Sequence, residues 1–592
     1  MLEIYVAVPL AVAAVVSLLM RGRSTKYVRY VAFGASILSL LLTLVFVLGS
    51  PVQLQQLGWF SFLGYSFTLT FSAMPLNIIL LLIVGIVTPL IMAYSIGFMD
   101  LPSDQSRYYS EMCIFAVAMM IFAMAGDFIT MFIGWELLGI TSYLLIGFWY
   151  QKVGTPEAAR KAITTILIGD VLMLASMLII WSSYHTFVFA QLIGSQSHSW
   201  QMELSLILIM FAVFTKSAQF PFHEWLADAM KGPTPVSAFL HSSTMVKAGV
   251  FLVAVLLPLF IAYHLLYLLV IFGLITAFIG ATNALSSNHI KRILAYSTIE
   301  DLGLMFVALG TGSLLAAMMF FIVQTFYKAL LFMSAGSIMK ANDYEEDIKK
   351  VYNSASYKQI FIPTIIGVAS LAGLYPLSGF FGKAALYASA SIPIYALLLV
   401  VEILSSTYIF RWLFIPLKSK SDSKTVEARA NYKTMPRSMV LPMDVLAVLA
   451  AITGPVLYMY VPAYLGAYGA TQFKIGLLDI AASVIIVVIG ILAAFYLFYK
   501  GKYKMSDGSS IHAALHNSVF VNLFYEKTAR FIEIAADVLE SIDHSIYDVI
   551  KGGGRNVTEL GSLLKRMETG NVNAYIAAFI IGMLVILALF LL

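Results

Sequence analysis

Apolar runs of about 20 residues recur along the whole of this sequence, and they limit the fold more than any other feature. A helix of that length crosses the roughly 30 Å hydrocarbon core of a bilayer. Because 60% of the 592 residues are hydrophobic and only 11% are charged, a soluble domain could not cover this much apolar surface. The sequence therefore predicts an all-α polytopic membrane protein.

The apolar runs divide into 16 predicted spans, and the basic residues predict their orientation. The approximate ranges are 2–20, 30–49, 74–98, 110–125, 128–149, 162–182, 204–221, 234–258, 263–285, 293–309, 313–339, 361–389, 393–416, 440–462, 475–499 and 572–592. When the connections are numbered in order, the even-numbered ones contain a single Lys or Arg, Lys474. Lys and Arg collect on the cytoplasmic side, so both termini are predicted to face outward from a cell membrane. This bias explains the net charge of +5 without a nucleic-acid partner.

Three further features narrow the class of protein. The first run carries Glu3 and no basic leader, which predicts a span and not a removable signal peptide. Cys113 is the single cysteine, which excludes a disulfide framework and a multi-cysteine cluster site. The glycine-rich KGGGR at 551–555 lacks the strand and helix context of a phosphate loop. No redox active site is predicted within the chain.

Residues 515–570 mix apolar and charged residues at helical spacing and are not predicted to cross the membrane. The apolar stripe contains Phe524, Phe531, Ala535, Val538, Leu539 and Ile542, with Thr528 as its polar member; the opposite side carries Glu526, Arg530, Glu533 and Asp537. A long helix divided in this way lies along the bilayer interface or against other subunits. An ordinary cytoplasmic domain is the alternative. The three glycines at 552–554 are expected to break or bend the helix.

Several charged or titratable side chains fall inside predicted spans, where each charge costs about 2.5–3.5 kcal/mol. They are Glu136, Asp170, Lys216, His241, Lys247, Lys328, Lys383, Glu402 and Arg411. The alternative to a functional role is a buried structural ion pair or a side chain that reaches the headgroups. That alternative is favoured for Glu402 with Arg411 and left open for Asp170. For Glu136, Lys216, Lys328 and Lys383 the acid and the bases are spread along the sequence, which favours function.

The neighbours of these charges are small or polar. Glu136 shares a helix face with Gly139 and Tyr143, and Lys328 follows Gln324 and Thr325 by one turn. In the eighth span, polar residues lie on two adjacent faces: Ser237, His241 and Thr244 on one, Ser243 and Lys247 on the other. Such side chains can hold a file of waters between titrating groups. His241 alone would more often be a buried histidine with satisfied hydrogen bonds.

Two prolines predict interrupted helices at corresponding places. Pro221 follows Lys216 by five residues in the seventh span, and Pro376 precedes Lys383 by seven in the twelfth. Five spans separate the two breaks, so the units formed by spans 4–8 and 9–13 would have opposite orientation. Broken helices at matching positions of two halves indicate an inverted-repeat transporter with its site at mid-depth. Coincidence of two prolines is the alternative.

Several long motifs resemble the largest antiporter-like membrane subunit of respiratory complex I, over about residues 60–420. They are GWELLGITSYLLIGFW, KSAQFPFHEWLADAMKGPTPVSAFLHSSTMVKAG, IKRILAYSTIEDLG, FYKALLF and LSGFFGK. The amphipathic segment and last span resemble that family's lateral helix and anchor. The resemblance implies a redox-driven proton translocase subunit with two inverted five-helix repeats and no redox cofactor of its own. Flavin or iron–sulfur clusters and quinone would belong to partner subunits.

The resemblance also implies roles for individual residues. Glu136 and Lys216 would form a coupled pair in the first half-channel, Lys328 would be the central connecting lysine, and Lys383 would lead to the outer exit. Asp170 and His241 fall on polar positions of the same axis, with Lys247 and Gln324 as further relay candidates. The sequence departs from the family at Gln324, where a histidine is common, at Lys247, which is frequently uncharged, and at His223, which is often Gln.

The expected domains follow from these assignments. They are 1–109, a three-helix segment with an outer loop; 110–258 and 259–416, the two repeats; 417–514, helices 14 and 15; 515–570, the lateral helix; and 571–592, the anchor. Expected partners are other antiporter-like and quinone-module subunits and the lipid bilayer. Three alternatives remain: a subunit of a multisubunit sodium/proton antiporter, a subunit of a membrane-bound hydrogenase-type complex, and a structural subunit that moves no protons.

At an assumed separation of about 7 Å, Coulomb's law gives Glu136 and Lys216 roughly 2.4 kcal/mol of attraction.

Overall fold

The structure is a computed structural model that describes most of the chain in two compact units. The described residues are 5–21, 25–49, 54–62, 65–99, 104–195, 198–351, 358–418, 435–466, 473–500, 521–567 and 572–591. The first unit is Met1–Val519 and the second is Phe520–Leu592. Both are mostly helical.

The first unit consists of helices and one hairpin. In chain order they are α1 (Val8–Leu19), α2 (Thr25–Gly49), β1 (Leu54–Phe62), β2 (Tyr65–Ser72), α3 (Pro75–Phe98), α4 (Gln105–Ala123), α5 (Phe128–Ile146), α6 (Thr155–Tyr184), α7 (Phe189–Gly194), α8 (Trp200–Lys216), α9 (Glu224–Asp228), α10 (Thr234–Ser242), α11 (Met245–Ala262), α12 (Leu266–Ser286), α13 (Ile290–Gly310), α14 (Leu314–Ala341), α15 (Lys358–Leu371), α16 (Ser378–Ser389), α17 (Ile392–Lys418), α18 (Arg437–Tyr464) and α19 (Leu477–Ala493).

Eleven helices within the described residues are long and apolar enough to cross a membrane, with α10 and α11 counted as one. The expected polytopic membrane protein is therefore confirmed, whereas the number 16 stays a prediction. The other predicted spans do not meet this criterion mainly because their helices are too short. For example, α8 contains 17 residues, and α15 and α16 contain 14 and 12.

The segment 1–109 was expected to contain three helices and a loop. It also contains the β1–β2 hairpin, so the chain is not entirely α-helical. Its strands are antiparallel, with Leu54 opposite Ser72 and Phe62 opposite Tyr65. Alternation of apolar and polar residues in YSFTLTFS is the period-2 pattern of a strand. The Thr70 amide donates to Asp127 Oδ2 at 2.7 Å, and Asp127 Oδ1 caps α5 by accepting from the Thr130 amide. The hairpin thus contacts the start of α5.

The centre of the first unit is formed by α13 and α14. All residues of their most apolar windows are buried, although both helices carry acidic or basic side chains. Glycines allow α13 to approach α12 closely: a Cβ on Gly273 would lie 2.7 Å from the Gly303 carbonyl oxygen. Substituents at this contact would force the two backbones apart.

Helix interruptions occur on either side of this centre. Helix α8 ends at Lys216 and α9 begins at Glu224, while α15 ends at Leu371 and α16 begins at Ser378. The Phe220–Pro221 and Tyr375–Pro376 peptide bonds within these interruptions are cis. A third interruption, at Ser243 and Thr244, separates α10 from α11. Each interruption places a lysine within a few residues of a helix end.

The connection that follows α14 packs against the first residues of α13. The Ile290 amide donates to the Glu346 carbonyl oxygen at 2.8 Å, and the side chains of His289 and Glu346 approach to 2.9 Å. Burial acts against charge on Glu346 and also lowers the pKa of His289. The hydrogen bond and charge of His289, together with Lys291, nevertheless hold the pKa of Glu346 at about 2. This contact lies outside the membrane-spanning helices.

The second unit contains α20 (Val521–Met567) and α21 (Val572–Leu591). Helix α20 is continuous for 47 residues, about 70 Å at 1.5 Å per residue. It runs through Gly552, Gly553 and Gly554, so of the expected break or bend at 552–554 the break was wrong. Each glycine costs about 1 kcal/mol relative to alanine but does not forbid helical backbone. Val538, Leu539 and Ile542 of the predicted stripe are exposed on this unit.

Candidate functional site

Lys216 and Asp170 are joined through one tryptophan, Trp135 of α5. The Lys216 ammonium, on the last residue of α8, donates to the Trp135 carbonyl oxygen at 2.6 Å and lies 4.0 Å from the centroid of its ring. The indole Nε1 in turn donates to Asp170 Oδ1 of α6 at 2.6 Å. Lys216 is fully buried and Asp170 nearly so. Trp135 therefore holds an ammonium and a carboxylate within one buried cluster.

Glu136 belongs to the same cluster but does not touch Lys216. Among the described residues, the buried lysines that form salt bridges within 4.0 Å are Lys328 and Lys383. The charges of Asp170 and Glu136 both act on Lys216 from a longer distance. Glu136 Oε1 is buried without a hydrogen-bond partner. The predicted pair is thus a group of three charged side chains, Glu136, Asp170 and Lys216.

Gly139 lies one turn after Glu136 and faces the ammonium of Lys216. A Cβ at Gly139 would lie 3.8 Å from Lys216 Nζ. Tyr143, expected on the same inward stripe, is partly exposed instead. The stripe therefore points inward only at its first two members.

Lys247 connects α11 to α14. Its ammonium donates to the Phe321 carbonyl oxygen and to Thr325 Oγ1, both at 2.6 Å. Thr325 precedes Lys328 by three residues, so the two side chains lie on one face of α14. Ser217, which follows Lys216, packs against the same helix α11: a Cβ at Gly249 would lie 2.3 Å from Ser217 Oγ. Helix α11 therefore contacts the Lys216 segment and α14.

His241 and Gln324 are fully buried polar side chains beside these lysines. Neither ring nitrogen of His241 has a hydrogen-bond partner, and neither atom of the Gln324 amide has one. The His241 ring contacts the Phe332 ring of α14 at 4.8 Å between centroids. Buried polar groups ordinarily have partners, so these two side chains have free capacity to donate and accept protons or hydrogen bonds.

Lys328 occupies the middle of α14 and forms an ion pair with α13. Its ammonium lies 2.9 Å from Asp301 Oδ2 and donates to Ser297 Oγ at 2.7 Å. The Tyr327 hydroxyl donates to the same Asp301 oxygen at 3.3 Å. Lys328 and Asp301 are fully buried, so the charge of each depends on the other.

Lys383 forms a second buried ion pair, with Glu402 of α17. Its ammonium donates to Glu402 Oε1 and to the Leu371 carbonyl oxygen, both at 2.6 Å. The Tyr387 hydroxyl donates to Glu402 Oε2 at 3.2 Å. The sequence had suggested a pair of Glu402 with Arg411, which was wrong. Arg411 donates instead to the Ser287 carbonyl oxygen and to Asn288 Oδ1.

A small cavity of about 20 Å³ adjoins this second pair, enough for about one water. Its polar lining includes Lys383, Tyr387, Glu402, Asp479 and Ser483. Asp479 lies in the first turn of α19 and is exposed. The cavity therefore connects the Lys383–Glu402 pair with an exposed carboxylate.

Sequence similarity to known proteins identifies the family of this chain. Residues 125–408 match the family described as NADH:quinone oxidoreductase/Mrp antiporter, TM. NADH-quinone oxidoreductase subunit L of Campylobacter jejuni is 32% identical over 518 residues, which cover 83% of each chain. The chain belongs to the subunit L family. A second relative of that name, from Buchnera aphidicola, is 30% identical and covers 96% of this chain and 95% of its own.

The subunit L family also includes a relative with another printed electron donor. F(420)H(2) dehydrogenase subunit L of Methanosarcina mazei is 30% identical over 591 residues, covering 87% of each chain. Among solved structures, the Mrp complex from Dietzia sp. DQ12-45-1b contains a chain with a TM-score of 0.76 at 23% identity. The match covers 100% of the present chain and 63% of the chain in the Mrp complex. The membrane-bound sulfane sulfur reductase, an archaeal respiratory complex, matches with a TM-score of 0.68 at 19% identity. The solved structures confirm the fold.

Sequence reasoning missed two acids, Glu300 and Asp301, and gave Glu402 the wrong partner. Glu300 and Asp301 fall inside the predicted span 293–309. The rule that every charge at membrane depth needs a reason therefore applied to both and could have found them. For Glu402, nothing in the sequence distinguishes Lys383 from Arg411 as its partner, because the pairing depends on how α16 and α17 pack.

Proposed function

We propose that this chain is the proton-translocating membrane-arm subunit of a complex I-like oxidoreductase, in which electron transfer elsewhere drives protons through it. The proposal rests on family membership and on one observation: Lys216, Lys328 and Lys383 are each buried at hydrogen-bonding distance from acceptors. Burial of a charged amine at membrane depth costs free energy. A purely structural subunit would gain nothing that offsets this cost.

Protons would pass from Lys216 to Lys328 and then to Lys383, with water bridging the gaps between side chains. His241, Lys247 and Gln324 are the relay groups between the first two lysines. They support that role because Lys247 contacts Thr325 one turn from Lys328, while His241 and Gln324 have unused hydrogen-bonding groups. Glu136 and Asp170 would control how firmly Lys216 holds its proton.

The two interruptions support the predicted inverted repeats, 110–258 and 259–416. One lies between α8 and α9 and contains Pro221; the other lies between α15 and α16 and contains Pro376. Lys216 is the last residue of α8, just before the first interruption. Lys383 lies about one turn into α16, just after the second interruption. In the proposed topology both termini face outward and α19 begins on the outer side. The cavity that joins Lys383, Glu402 and Asp479 would then lead outward.

Partners and cofactors follow from the same proposal. Other antiporter-like and quinone-module subunits would flank the chain in the cell membrane, and α20, about 70 Å long, would extend along them as a lateral helix. Flavin, iron–sulfur clusters and quinone would be held by those partners.

The test is donor-driven pumping by the intact complex, purified through a tag on this chain and reconstituted in proteoliposomes. NADH and reduced coenzyme F420 would be tried as donors with a soluble quinone as acceptor. Internal acidification or alkalinisation that depends on the donor supports the proposal. Donor oxidation with no proton movement, by a complex that contains this chain, would contradict it.

The second candidate, a sodium/proton antiporter subunit, is favoured by the family description, which also names the Mrp antiporter, and by the fold match with the Mrp complex. An antiporter exchanges sodium for protons without any electron donor. The same proteoliposomes, given a sodium gradient and no donor, would show proton movement only under this second candidate.

A further inference from the structure

Two neighbouring acids on α13 point to the two ion pairs of the pathway. Asp301 contacts Lys328 of α14, whereas Glu300 interacts with the Tyr408 hydroxyl of α17 and with the charges of Lys383 and Glu402. Successive residues on a helix are separated by about 100°, so one helix can face α14 with one acid and α17 with the next. Helix α13 therefore contributes Asp301 to the pair with Lys328 and directs Glu300 toward the Lys383–Glu402 pair.

Glu300 differs from the other acids of this region in its contacts. It is fully buried, and neither carboxylate oxygen makes a hydrogen bond of standard geometry. Asp301 and Glu402 each have an ammonium within 3 Å. A buried carboxylate without such a partner is costly when ionised and accepts a proton readily.

The balance of charge leads to the same residue. Lys328 and Lys383 supply two ammonium groups, which Asp301 and Glu402 already neutralise at 2.9 and 2.6 Å. Glu300 is the third carboxylate of the group. Among the described residues, Glu300 forms no salt bridge within 4.0 Å, so it is free to take a proton from one lysine and pass it to the other.

We propose that Glu300 carries the proton from Lys328 to Lys383. The inference rests on the proposed function above and names an added residue for it. In the first step the Lys328 ammonium loses a proton to the Glu300 carboxylate, giving a neutral amine and a carboxylic acid. In the second step the Glu300 acid gives that proton to a neutral Lys383 amine and returns to carboxylate. Asp301 is a positioning residue that holds Lys328.

The primary test is Glu300→Gln in the reconstituted complex, which keeps the size of the side chain and removes its proton-carrying oxygen. Donor-driven pumping should fall by at least about tenfold, since a positioned proton carrier contributes at least that much. Glu111→Gln is the matched control: Glu111 is a buried acid of α4 that is paired with Arg107 and lies outside the proposed path. It should pump normally.

Lys383→Met separates the failure of this inference from failure of the proposed function. If Lys383→Met stops pumping while Glu300→Gln pumps normally, the Glu300 inference is wrong and the proposed function stands. If neither substitution affects pumping, the proposed function fails as well. If Glu300→Gln does not assemble, infrared difference spectra of wild type and Glu300→Asp decide. A carboxylic-acid C=O band that appears on acidification and shifts in Glu300→Asp supports the inference, and identical bands in both overturn it.

Discussion

Glu402→Gln offers a sharp test because the distance it removes is known. The Lys383 ammonium and Glu402 Oε1 are 2.6 Å apart and buried. At an effective dielectric near 20, Coulomb's law gives this pair about 6 kcal/mol. Part of this attraction offsets the cost of burying both charges, and loss of one partner of a buried pair typically costs about 3–5 kcal/mol.

Loss of the Glu402 carboxylate removes about 3 kcal/mol of stabilisation from the Lys383 ammonium, while the hydrogen bond from Lys383 to the Leu371 carbonyl oxygen remains. Glu402→Gln should therefore lose most donor-driven pumping near neutral pH, because the proposed path needs Lys383 to bind a proton at a buried position.

The assay is proton pumping in proteoliposomes over a series of pH values, with Glu111→Gln as the control acid. Oxidation of the donor with ferricyanide, which withdraws electrons before they reach the membrane arm, checks that the soluble part is intact. Wild-type pumping by Glu402→Gln at every pH, with an unchanged profile, would refute the assignment of Lys383 and Glu402 to the path.

Three further predictions follow from single contacts. Glu136→Gln should strongly reduce pumping while the complex still assembles, because it removes one of two acids that hold the charge on Lys216; normal pumping by an assembled complex would contradict this. Gly379→Ala should destabilise the chain by about 1–3 kcal/mol and lower the yield of assembled complex, because its Cβ would clash with the Ser370 carbonyl oxygen; Gly34→Ala, which meets no atom within 4 Å, should leave that yield unchanged. The Glu346–His289 contact should stabilise the protein fully above the ordinary pKa of Glu, about 4.3, and lose its contribution as pH falls toward the folded-state pKa of about 2. Wild type should therefore lose more thermal stability than Glu346→Gln across that window in detergent, and parallel melting curves would contradict the pairing.

Much of the fold could be predicted from the sequence because the bilayer imposes simple rules. Runs of about 20 apolar residues and the positions of Pro221 and Pro376 are local signals, and the membrane-spanning helices and helix interruptions lie where those signals fall. The β1–β2 hairpin was missed because the search was for span length and not for alternation over eight or nine residues. The break at 552–554 was wrong because helix propensity is weak beside 47 residues of otherwise continuous helical pattern.

Within the site, residue type predicted which side chains are buried but not which ones pair. Lys216, Lys328 and Lys383 are buried as expected. Their partners are on other helices: Trp135 on α5, Asp301 on α13 and Glu402 on α17. Pairing across helices depends on how the helices are rotated against one another, which a single sequence does not display. Spacing along one helix suggested Glu402 with Arg411, and tertiary packing gave each a different partner.

The most direct test of the whole account is the number of protons pumped per donor oxidised by Lys328→Met. Lys328 is the middle lysine of the path, and Lys340→Met provides a matched control on the same helix, since Lys340 is also buried but donates to the Gly97 carbonyl oxygen at the helix end. We expect that Lys328→Met assembles, oxidises donor with ferricyanide, and pumps few or no protons through this chain, while Lys340→Met pumps normally. An unchanged ratio of protons to donor in assembled Lys328→Met would show that protons do not pass through the centre of this subunit.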